Sequence, residues 1–182
     1  MFKKVTEDAI LPTRGSKYSA CVDVYANEDV TISAGETKLV GLGIKIDFNK
    51  TLKSIIVGDI CKKYNDRYLN FEQAFDIFLS SHYLQLMLRS SLAAKGLMLG
   101  NGVGVIDLDF ADEIKMIIHN PLIGSINSIS FGCNGKRDYK IKKGDRIGQI
   151  TLLKHKSSLF GIDSEDERDG GFGSTDKKEN NV

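Results

Sequence analysis

Hydrophobic and polar residues alternate over short segments along most of the chain, a pattern that predicts β-strands. Residues 26–47 carry the segments VTI and KLVGLGIKIDF, separated by a turn at Ser33–Glu36, and Leu42, Ile44 and Ile46 alternate with period two. Further strand-like segments are SACVDVY (19–25), residues 84–88, IKMII (114–118), SISF (128–131) and residues 147–153. About a dozen short strands with glycine turns predict an all-β fold, a sandwich or jelly roll.

Residues 49–82 interrupt the strand pattern and predict an inserted helix. The segment 69–83 places Phe71, Ala74, Phe75, Phe78 and Leu79 on one face at helical spacing, with Asn70 as its N-cap. We interpret 49–82 as an insertion with one helix, packed on the outside of a β domain. Core packing explains such an apolar stripe, and a binding face for a protein partner is the alternative.

A second, short helix is predicted at residues 89–96, with serine capping its start and Gly96 closing its end. A helix N-terminus beside Arg89 offers N–H groups and positive charge to an anion. The same pattern also fits a plain capped connector.

Charge and composition exclude several classes of function. The chain has 182 residues, enough for one domain with a tail, and 25 basic residues balance 24 acidic ones to a net charge of +1. Such a balance provides no strong field for binding nucleic acid or a membrane surface. Any phosphate binding must therefore come from individually placed groups.

Cysteine usage and hydropathy indicate a cytoplasmic protein. The three cysteines are far apart without a CxxC motif, which favours reduced thiols, and the three histidines show no metal-ligand spacing. The N-terminus lacks an apolar run typical of a signal peptide, and no stretch approaches the roughly 18 apolar residues of a membrane span. The expected location is the cytoplasm, or the host cytoplasm or nucleus if the chain is viral.

The segment NGVGVIDLDFADE (101–113) is the strongest candidate for a functional site. Asp107 lies between Ile106 and Leu108, so we expect it to be buried, where an unpaired carboxylate costs several kcal/mol. It could act as a general base for water or as a structural, hydrogen-bonded residue. For Asp107 and Phe110 to face one ligand, the strand must turn or bulge between them, which the neighbouring glycines permit.

Two further segments could bind phosphate. Arg89 with Ser90 forms a candidate clamp, and GGFGST (170–175), preceded by Arg168, offers backbone N–H groups, two hydroxyls and an aromatic ring. The latter lacks the GK[ST] ending of a P-loop and taken alone resembles a linker. From residue 164 the chain is polar and glycine-rich, so we expect a β domain at 1–163 and a mobile arm at 164–182. Together these segments indicate a nucleoside-phosphate hydrolase.

The chain resembles the trimeric, all-β dUTP diphosphatase (dUTPase) family, whose five motifs occur here in order. They are SACVDVYA (19–26), RSSLA (89–93), NGVGVIDLDF (101–110), GDRIGQI (144–150) and RDGGFGST (168–175). The resemblance implies a distorted jelly roll of the β-clip type and a homotrimer with sites shared between subunits. It also implies hydrolysis of dUTP to dUMP and pyrophosphate with Mg²⁺, which limits uracil in DNA.

The same resemblance assigns roles to the third motif. Asp107 would orient and deprotonate the water that attacks the α-phosphorus. Phe110 would stack under the deoxyribose and leave no room for a 2′-hydroxyl. Asn101 and the backbone at Val105 and Ile106 would read the uracil edge.

The remaining roles are also carried over from the family. Asp23 would hold a water of the Mg²⁺ shell, and Phe172, followed by Gly173, would cover the base. Substrate contacts, mostly to phosphate, fall on Arg89, Ser90, Ser91, Lys115, Gln149, Arg168, Ser174 and Thr175. The chain departs from the family pattern at Cys21, Leu88, Ser91, Phe110, Ala111, Asp112, Gly148 and Asp176; Phe110 stands where tyrosine is usual.

Two alternatives accompany this interpretation. The dCTP deaminases share the fold, and residues 89–98 resemble their second motif, but Ile117 occupies the position of their catalytic glutamate. Gly104 and Val105 likewise replace their His-Arg pair. The second alternative is a dUTP-responsive regulatory or partner-binding protein that uses the insertion as its interaction surface.

Overall fold

The computed structural model describes residues 1–64, 69–121 and 138–162. Within these ranges the chain forms twelve strands, three α-helices and a short 3-10 helix at Ser157–Phe160. The strands are β1 (Phe2–Lys4), β2 (Thr13–Arg14), β3 (Val22–Tyr25), β4 (Val30–Ile32), β5 (Thr37–Gly41), β6 (Ile44–Ile46), β7 (His82–Leu88), β8 (Met98–Leu99), β9 (Gly104–Asp107), β10 (Lys115–His119), β11 (Tyr139–Ile141) and β12 (Arg146–Lys154). The helices are α1 (Lys50–Tyr64), α2 (Phe71–Leu79) and α3 (Ser90–Ala93).

Antiparallel sheets form the body of the molecule and confirm the predicted all-β architecture. A five-stranded sheet has the order β2-β3-β12-β7-β9, and a three-stranded sheet has the order β5-β10-β8. The pairs β1-β6 and β4-β11 complete the set. The predicted strand at 128–131 lies outside the described residues.

Alternating residues of these strands form one hydrophobic core. Val24, Val40, Met116 and Ile118 are fully buried, and their neighbours along the strands are more exposed. The segment predicted as KLVGLGIKIDF divides into β5 and β6, because Gly43 adopts a left-handed conformation with φ +65°. This turn brings the ends of β5 and β6 beside the segment that carries the candidate site.

Gly148 is closely surrounded in the core, which explains why it stands where alanine is usual in the resembled family. A Cβ at this position would lie 2.6 Å from Sδ of Met116 and 2.9 Å from Cγ2 of Val24. We expect Gly148→Ala to lower the free energy of unfolding by about 1–3 kcal/mol because both neighbours are fully buried. Adding Met116→Val should restore part of this loss, as measured by urea denaturation.

A glycine without such neighbours provides the control for this substitution. Nothing lies within 4 Å of the Cβ position of Gly58, which is inside α1. Gly58→Ala should therefore raise stability by up to about 1 kcal/mol through helix propensity. Equal stability of Gly148→Ala and wild type would contradict the packing argument.

The insertion contains two helices, so the prediction of one inserted helix is wrong. The helix missed is α1, in which only Ile56 and Ile60 are buried. These two residues form a stripe one turn long, which is too narrow to produce a clear helical period in the sequence. The helix predicted at 69–83 is present as α2, but it ends at Leu79, and His82 and Tyr83 belong to β7.

Aromatic packing joins α2 to the β domain. The Phe48 ring lies 5.3 Å from the Phe75 ring and 6.0 Å from the Phe78 ring, between centroids. Phe78 also stacks on His82 at 4.6 Å, and burial lowers the pKa of His82. Ala74, Phe75 and Phe78 of the predicted stripe are therefore core packing, as predicted, whereas Phe71 is 42% exposed and lies outside the core. A protein partner on the outer face of the insertion stays a prediction.

The helices α2 and α3 begin with different capping arrangements. Asn70 and Gln73 form the predicted cap of α2 as a reciprocal capping box. The prediction that serine caps α3 is wrong, because Arg89 is the N-cap residue and provides no side-chain cap. Its backbone carbonyl accepts from Leu92 N and Ala93 N instead. No helix in the described ranges is long and apolar enough to cross a membrane.

Candidate active site

The candidate segment 101–113 lies along the edge of the five-stranded sheet. Its strand β9 pairs with β7, and the other side of β9 has no partner strand among the described residues. An edge strand presents backbone N–H and C=O groups that can pair with a ligand. The segment therefore exposes a hydrogen-bonding edge as well as side chains.

Asp107 is the last residue of β9 and is exposed, so the prediction that it is buried is wrong for the single chain. Apolar sequence neighbours did not imply burial, because successive residues of a strand point to opposite faces. Leu108 is buried while Asp107 faces outward, beside its cross-strand partner Tyr83. The one buried charged residue of the described chain is Asp23, at 9% exposure.

The chain turns between Asp107 and Phe110, as required if both are to face one ligand. Phe110 N donates to Asp107 O at 3.1 Å, which closes the turn. Phe110 is only 7% exposed and packs its ring inward. The turn thus places a carboxylate at the surface and an aromatic ring in an adjacent pocket.

This pocket, the base pocket, has a volume of about 260 Å³. It brings together five of the predicted substrate residues, namely Asn101, Val105, Ile106, Phe110 and Lys115. Its other walls are apolar or glycine, formed by Leu86, Leu99, Gly104, Ile114 and Ile117. The pocket therefore combines a mostly apolar interior with one amide, one ammonium and a strand edge.

A tight turn holds Asn101 at this pocket. Gly102 N donates to Leu99 O at 2.9 Å, and Gly102 has a left-handed φ of +69°. Gly100 N donates to Ile117 O at 2.7 Å, and a Cβ on Gly100 would lie 2.8 Å from Ile117 Cγ2. The close approach of Gly100 to β10 thus sets the position of the neighbouring Asn101.

A second pocket, the anion pocket, has a volume of about 320 Å³. Three predicted site residues meet there, Asp23, Arg89 and Gln149. Asp23 and Gln149 are cross-strand partners on β3 and β12, and Arg89 follows the end of β7. The remaining lining residues are Gly15, Ser19, Ala20 and Cys21.

Asp23 pairs with two arginines, of which Arg89 lines the anion pocket. Its Oδ1 lies 3.3 Å from Arg89 Nε, and its Oδ2 lies 3.4 Å from Arg146 Nη1. Asp23 is nearly buried, whereas Arg89 and Arg146 have side-chain exposures of 27% and 53%. The two guanidinium groups keep solvent-accessible donors, which suit a phosphate.

The two pockets begin on opposite faces of the five-stranded sheet. Gln149 and Ile150 are consecutive on β12, so their side chains point to opposite faces. Asp23 pairs with Gln149, whereas Leu86 pairs with Ile150 and with Gly104 of the base pocket. Asp107 pairs with Tyr83, and Tyr83 pairs with Leu153, so the side chain of Asp107 points to the same face as Gln149.

Not every predicted site residue reaches these pockets. Ser90 and Ser91 open α3 next to Arg89, but they are exposed and do not line the anion pocket. The predicted contacts on the C-terminal arm lie outside the described residues; these are Arg168, Phe172, Gly173, Ser174 and Thr175.

Several residues at or next to the two pockets were not predicted from the sequence. Arg146 was visible as the arginine of GDRIGQI, a motif already associated with phosphate through Gln149. Ser19 and Cys21 lie in the first motif beside Asp23 but showed no chemical signal of their own. The apolar floor of the base pocket could not be found from sequence, because it comes from four separate strands and loops.

The described residues do not supply a complete set of protein ligands for a metal ion. No group of three or more His, Cys, Asp or Glu side chains in residues 1–64, 69–121 and 138–162 is arranged to hold a metal. Both Asp23 oxygens face arginines, so this carboxylate is not available as a direct metal ligand in this arrangement. Magnesium bound with few protein ligands and several waters is typical of nucleotide sites.

An antiparallel β fold with an apolar pocket under a strand edge, and an arginine-lined pocket on the same sheet, is typical of a nucleotide-binding protein. The dUTPase family model matches residues 7–64 and 59–176, two segments that overlap within the inserted helix α1. The chain belongs to the dUTPase family.

The sequences of known proteins match this chain over nearly its whole length. A deoxyuridine 5′-triphosphate nucleotidohydrolase of Variola virus is 32% identical over 178 residues, which cover 96% of this chain and 90% of the viral protein. The protein of the same name from Debaryomyces hansenii is 30% identical over 178 residues, covering 94% of this chain and 84% of its own length.

Solved structures share the fold. The dUTPase of Streptococcus mutans superposes with a TM-score of 0.54 at 22% identity and covers 84% of this chain and 94% of its own. The dUTPase from phage phi11 of S. aureus, described with a species-specific insert, has a TM-score of 0.58 at 16% identity. The match covers 96% of this chain and 97% of the phage chain. A variant of the phage phi11 protein coordinates a structural Mg(II) ion.

Proposed function

We propose that this chain hydrolyses dUTP to dUMP and pyrophosphate, with Asp107 as the general base. The observation that carries this proposal is the match of nearly the full length to deoxyuridine 5′-triphosphate nucleotidohydrolases. The base pocket, the anion pocket and the exposed carboxylate supply the groups that this reaction needs.

The base pocket suits uracil and deoxyribose. The free edge of β9 offers alternating backbone donors and acceptors, which can pair with the carbonyl and N–H groups of a uracil ring. Asn101 adds a side-chain amide at the same pocket. The inward ring of Phe110 provides a flat apolar surface for the sugar, and close contact there would exclude a 2′-hydroxyl.

The anion pocket suits the phosphate chain. Arg89 presents its guanidinium at the pocket while Asp23 holds its Nε side, and Gln149 offers a neutral amide donor. Ser90 and Ser91 lie next to Arg89 at the surface and can reach a bound phosphate from the start of α3. Arginine binds phosphate with paired hydrogen bonds, so Arg89 supplies both charge and orientation.

Asp107 is positioned to activate water. An exposed carboxylate at the end of an edge strand has direct access to solvent, unlike the nearly buried Asp23. It can accept a proton from a water molecule as that water attacks the α-phosphorus, with pyrophosphate as the leaving group. Mg²⁺ bound to the triphosphate would neutralise charge and orient the chain, with Asp23 contacting a water of its shell.

The positions of the two pockets support a homotrimer with shared sites. They begin on opposite faces of one sheet, so a nucleotide that needs both is best served by pockets from two neighbouring subunits. In this proposal one subunit supplies the base pocket and Asp107, and a second supplies Arg89 and Gln149. The arm at 164–182 of the third closes over the nucleotide with Arg168, Phe172, Gly173, Ser174 and Thr175.

Two further predictions are consistent with the similar proteins. Relatives from yeasts and a virus accord with a cytoplasmic location, or with the host cytoplasm or nucleus for a viral chain. Deamination of dCTP would require the catalytic glutamate of the deaminases. Ile117 stands at that position and contributes an aliphatic side chain to the base pocket.

A substrate panel tests the proposed reaction. The wild-type protein with Mg²⁺ should release pyrophosphate from dUTP at least about a hundredfold faster than from UTP, dCTP or dTTP, compared as kcat/KM, because base and sugar contacts both discriminate. Pyrophosphate and ammonia are measured in parallel. Ammonia release from dCTP, or equal turnover of UTP and dUTP, would contradict the proposal.

A further inference from the structure

Lys115 introduces a positive charge into an otherwise uncharged pocket. Among the ten described residues that line the base pocket, it is the one that carries a charge. On β10, Lys115 and Ile117 share the face opposite to the buried Met116 and Ile118, and Ile117 also lines the pocket. The strand alternation therefore directs the Lys115 side chain to the pocket side of the sheet.

Glu113 anchors this lysine. Glu113 Oε1 accepts from Gly43 N at 2.7 Å, and Glu113 Oε2 lies 3.9 Å from Lys115 Nζ. The carboxylate fits closely against Gly41, where a Cβ would lie 2.7 Å from Glu113 Oε1. One oxygen is thus fixed by the backbone, and the other restricts where the ammonium can lie.

The Lys115 ammonium is neither buried nor freely solvated. The side chains of Lys115 and Glu113 are 39% and 25% exposed. An ion pair of this exposure adds little to stability, on the order of 0–1 kcal/mol. Its more specific consequence is geometric, since it restricts the ammonium of this pocket-lining residue to the vicinity of Glu113.

We propose that Lys115, positioned by Glu113, is a specificity-determining residue that selects bases with a carbonyl at ring position 4. The inference rests on the proposed function and deepens it. Uracil and thymine carry O4, an acceptor for an ammonium donor, whereas cytosine carries an amino group there. Lysine has donors and no acceptor, so it cannot bond to that amino group and opposes it electrostatically.

The chemistry of the three bases makes the proposal selective. Uracil and thymine share O4 and differ at C5, so Lys115 should discriminate neither from the other. Cytosine shares O2 with both but differs at position 4 and at N3, which carries a hydrogen in uracil and thymine and is an acceptor in cytosine. Loss of the ammonium should therefore change the preference for uracil over cytosine and leave the preference for uracil over thymine in place.

The test compares kcat/KM for dUTP, dTTP and dCTP in wild type, Lys115→Met, Glu113→Gln and Lys140→Met. In Lys115→Met the dUTP/dCTP ratio should fall about tenfold, the lower end for a hydrogen bond to a charged group, mainly through KM. The dUTP/dTTP ratio should stay within about twofold. Glu113→Gln should lower the dUTP/dCTP ratio by about threefold, because its amide oxygen can still accept from Gly43 while the charge is lost.

Lys140→Met is the matched control, since Lys140 is exposed on β11 in a different sheet. It should leave both ratios unchanged. An equal fall for all three substrates in Lys115→Met would indicate general damage to the pocket and overturn the proposal. An unchanged dUTP/dCTP ratio would overturn it as well.

Calorimetric binding of dUMP and dCMP to the same proteins separates this proposal from the proposed reaction. Preference of the wild type for dUMP, reduced in Lys115→Met, supports the role of Lys115 even if no triphosphate is hydrolysed. A wild type that binds dUMP no better than dCMP overturns it. Hydrolysis of dUTP by a Lys115→Met protein with full base preference would leave the proposed reaction intact and reject this inference alone.

Discussion

Asp107→Asn is expected to lower kcat for dUTP by about a thousandfold, within the range of effects for loss of a general base. The amide keeps the size of the side chain at the end of β9 but cannot accept the proton of the attacking water. The base pocket and the anion pocket remain, so KM for dUTP should change by no more than about threefold. Pyrophosphate release at saturating dUTP and Mg²⁺ measures the effect.

Asp112→Asn provides a control from the same segment. Asp112 is also exposed and lies five positions beyond Asp107, outside both pockets. Its substitution removes an equal charge and should leave kcat within about twofold. If the two variants lost activity equally, the effect would be general electrostatics rather than proton transfer. Full activity of Asp107→Asn would reject Asp107 as the base.

Deletion of residues 164–182 is expected to lower kcat/KM for dUTP by about a hundredfold. The truncated chain would lose Arg168 and the glycine-rich motif, which in the proposal contact the terminal phosphate and cover the base. Closure of such segments positions the substrate and excludes water. Steady-state kinetics measures the loss, and light scattering should show the proposed trimer unchanged, because the described strands all precede residue 164.

A shorter deletion separates the motif from the tail that follows it. Removal of residues 177–182 takes away KKENNV and keeps RDGGFGST intact, so activity should stay near the wild-type value. Unchanged activity of the longer deletion would show that the arm has no part in turnover. Loss of the trimer in the longer deletion would instead place the arm in assembly.

Burial of the carboxylates shows where local sequence was misleading. Asp23 and Asp107 both have apolar neighbours in sequence, yet Asp23 is nearly buried and Asp107 is exposed. Asp23 lies on β3 between two partner strands, and Arg89 and Arg146 reach it from other parts of the chain. Asp107 ends a strand at the sheet edge. Position within the sheet, and not the flanking residues, separates the two.

The two inserted helices also differ in how well the sequence predicts them. The stripe of α2 was predictable because Ala74, Phe75 and Phe78 recur at helical spacing and are all buried. Only Ile56 and Ile60 of α1 are buried, so its sequence carries little period. Its packing depends on the neighbouring α2, which sequence alone does not place beside it.

Local sequence patterns were sufficient to predict the all-β class, the glycine turns and the α2 cap, because alternation and turn chemistry depend on residues near one another. The five motifs could likewise be identified from sequence alone. Pairing between distant strands decided the rest. It placed Phe110 in the base pocket, joined Asp23 to Arg89 and Arg146, and set Gln149 and Leu86, which line the two pockets, on opposite faces of one sheet. These relations depend on strand register, which brings together residues far apart in the chain.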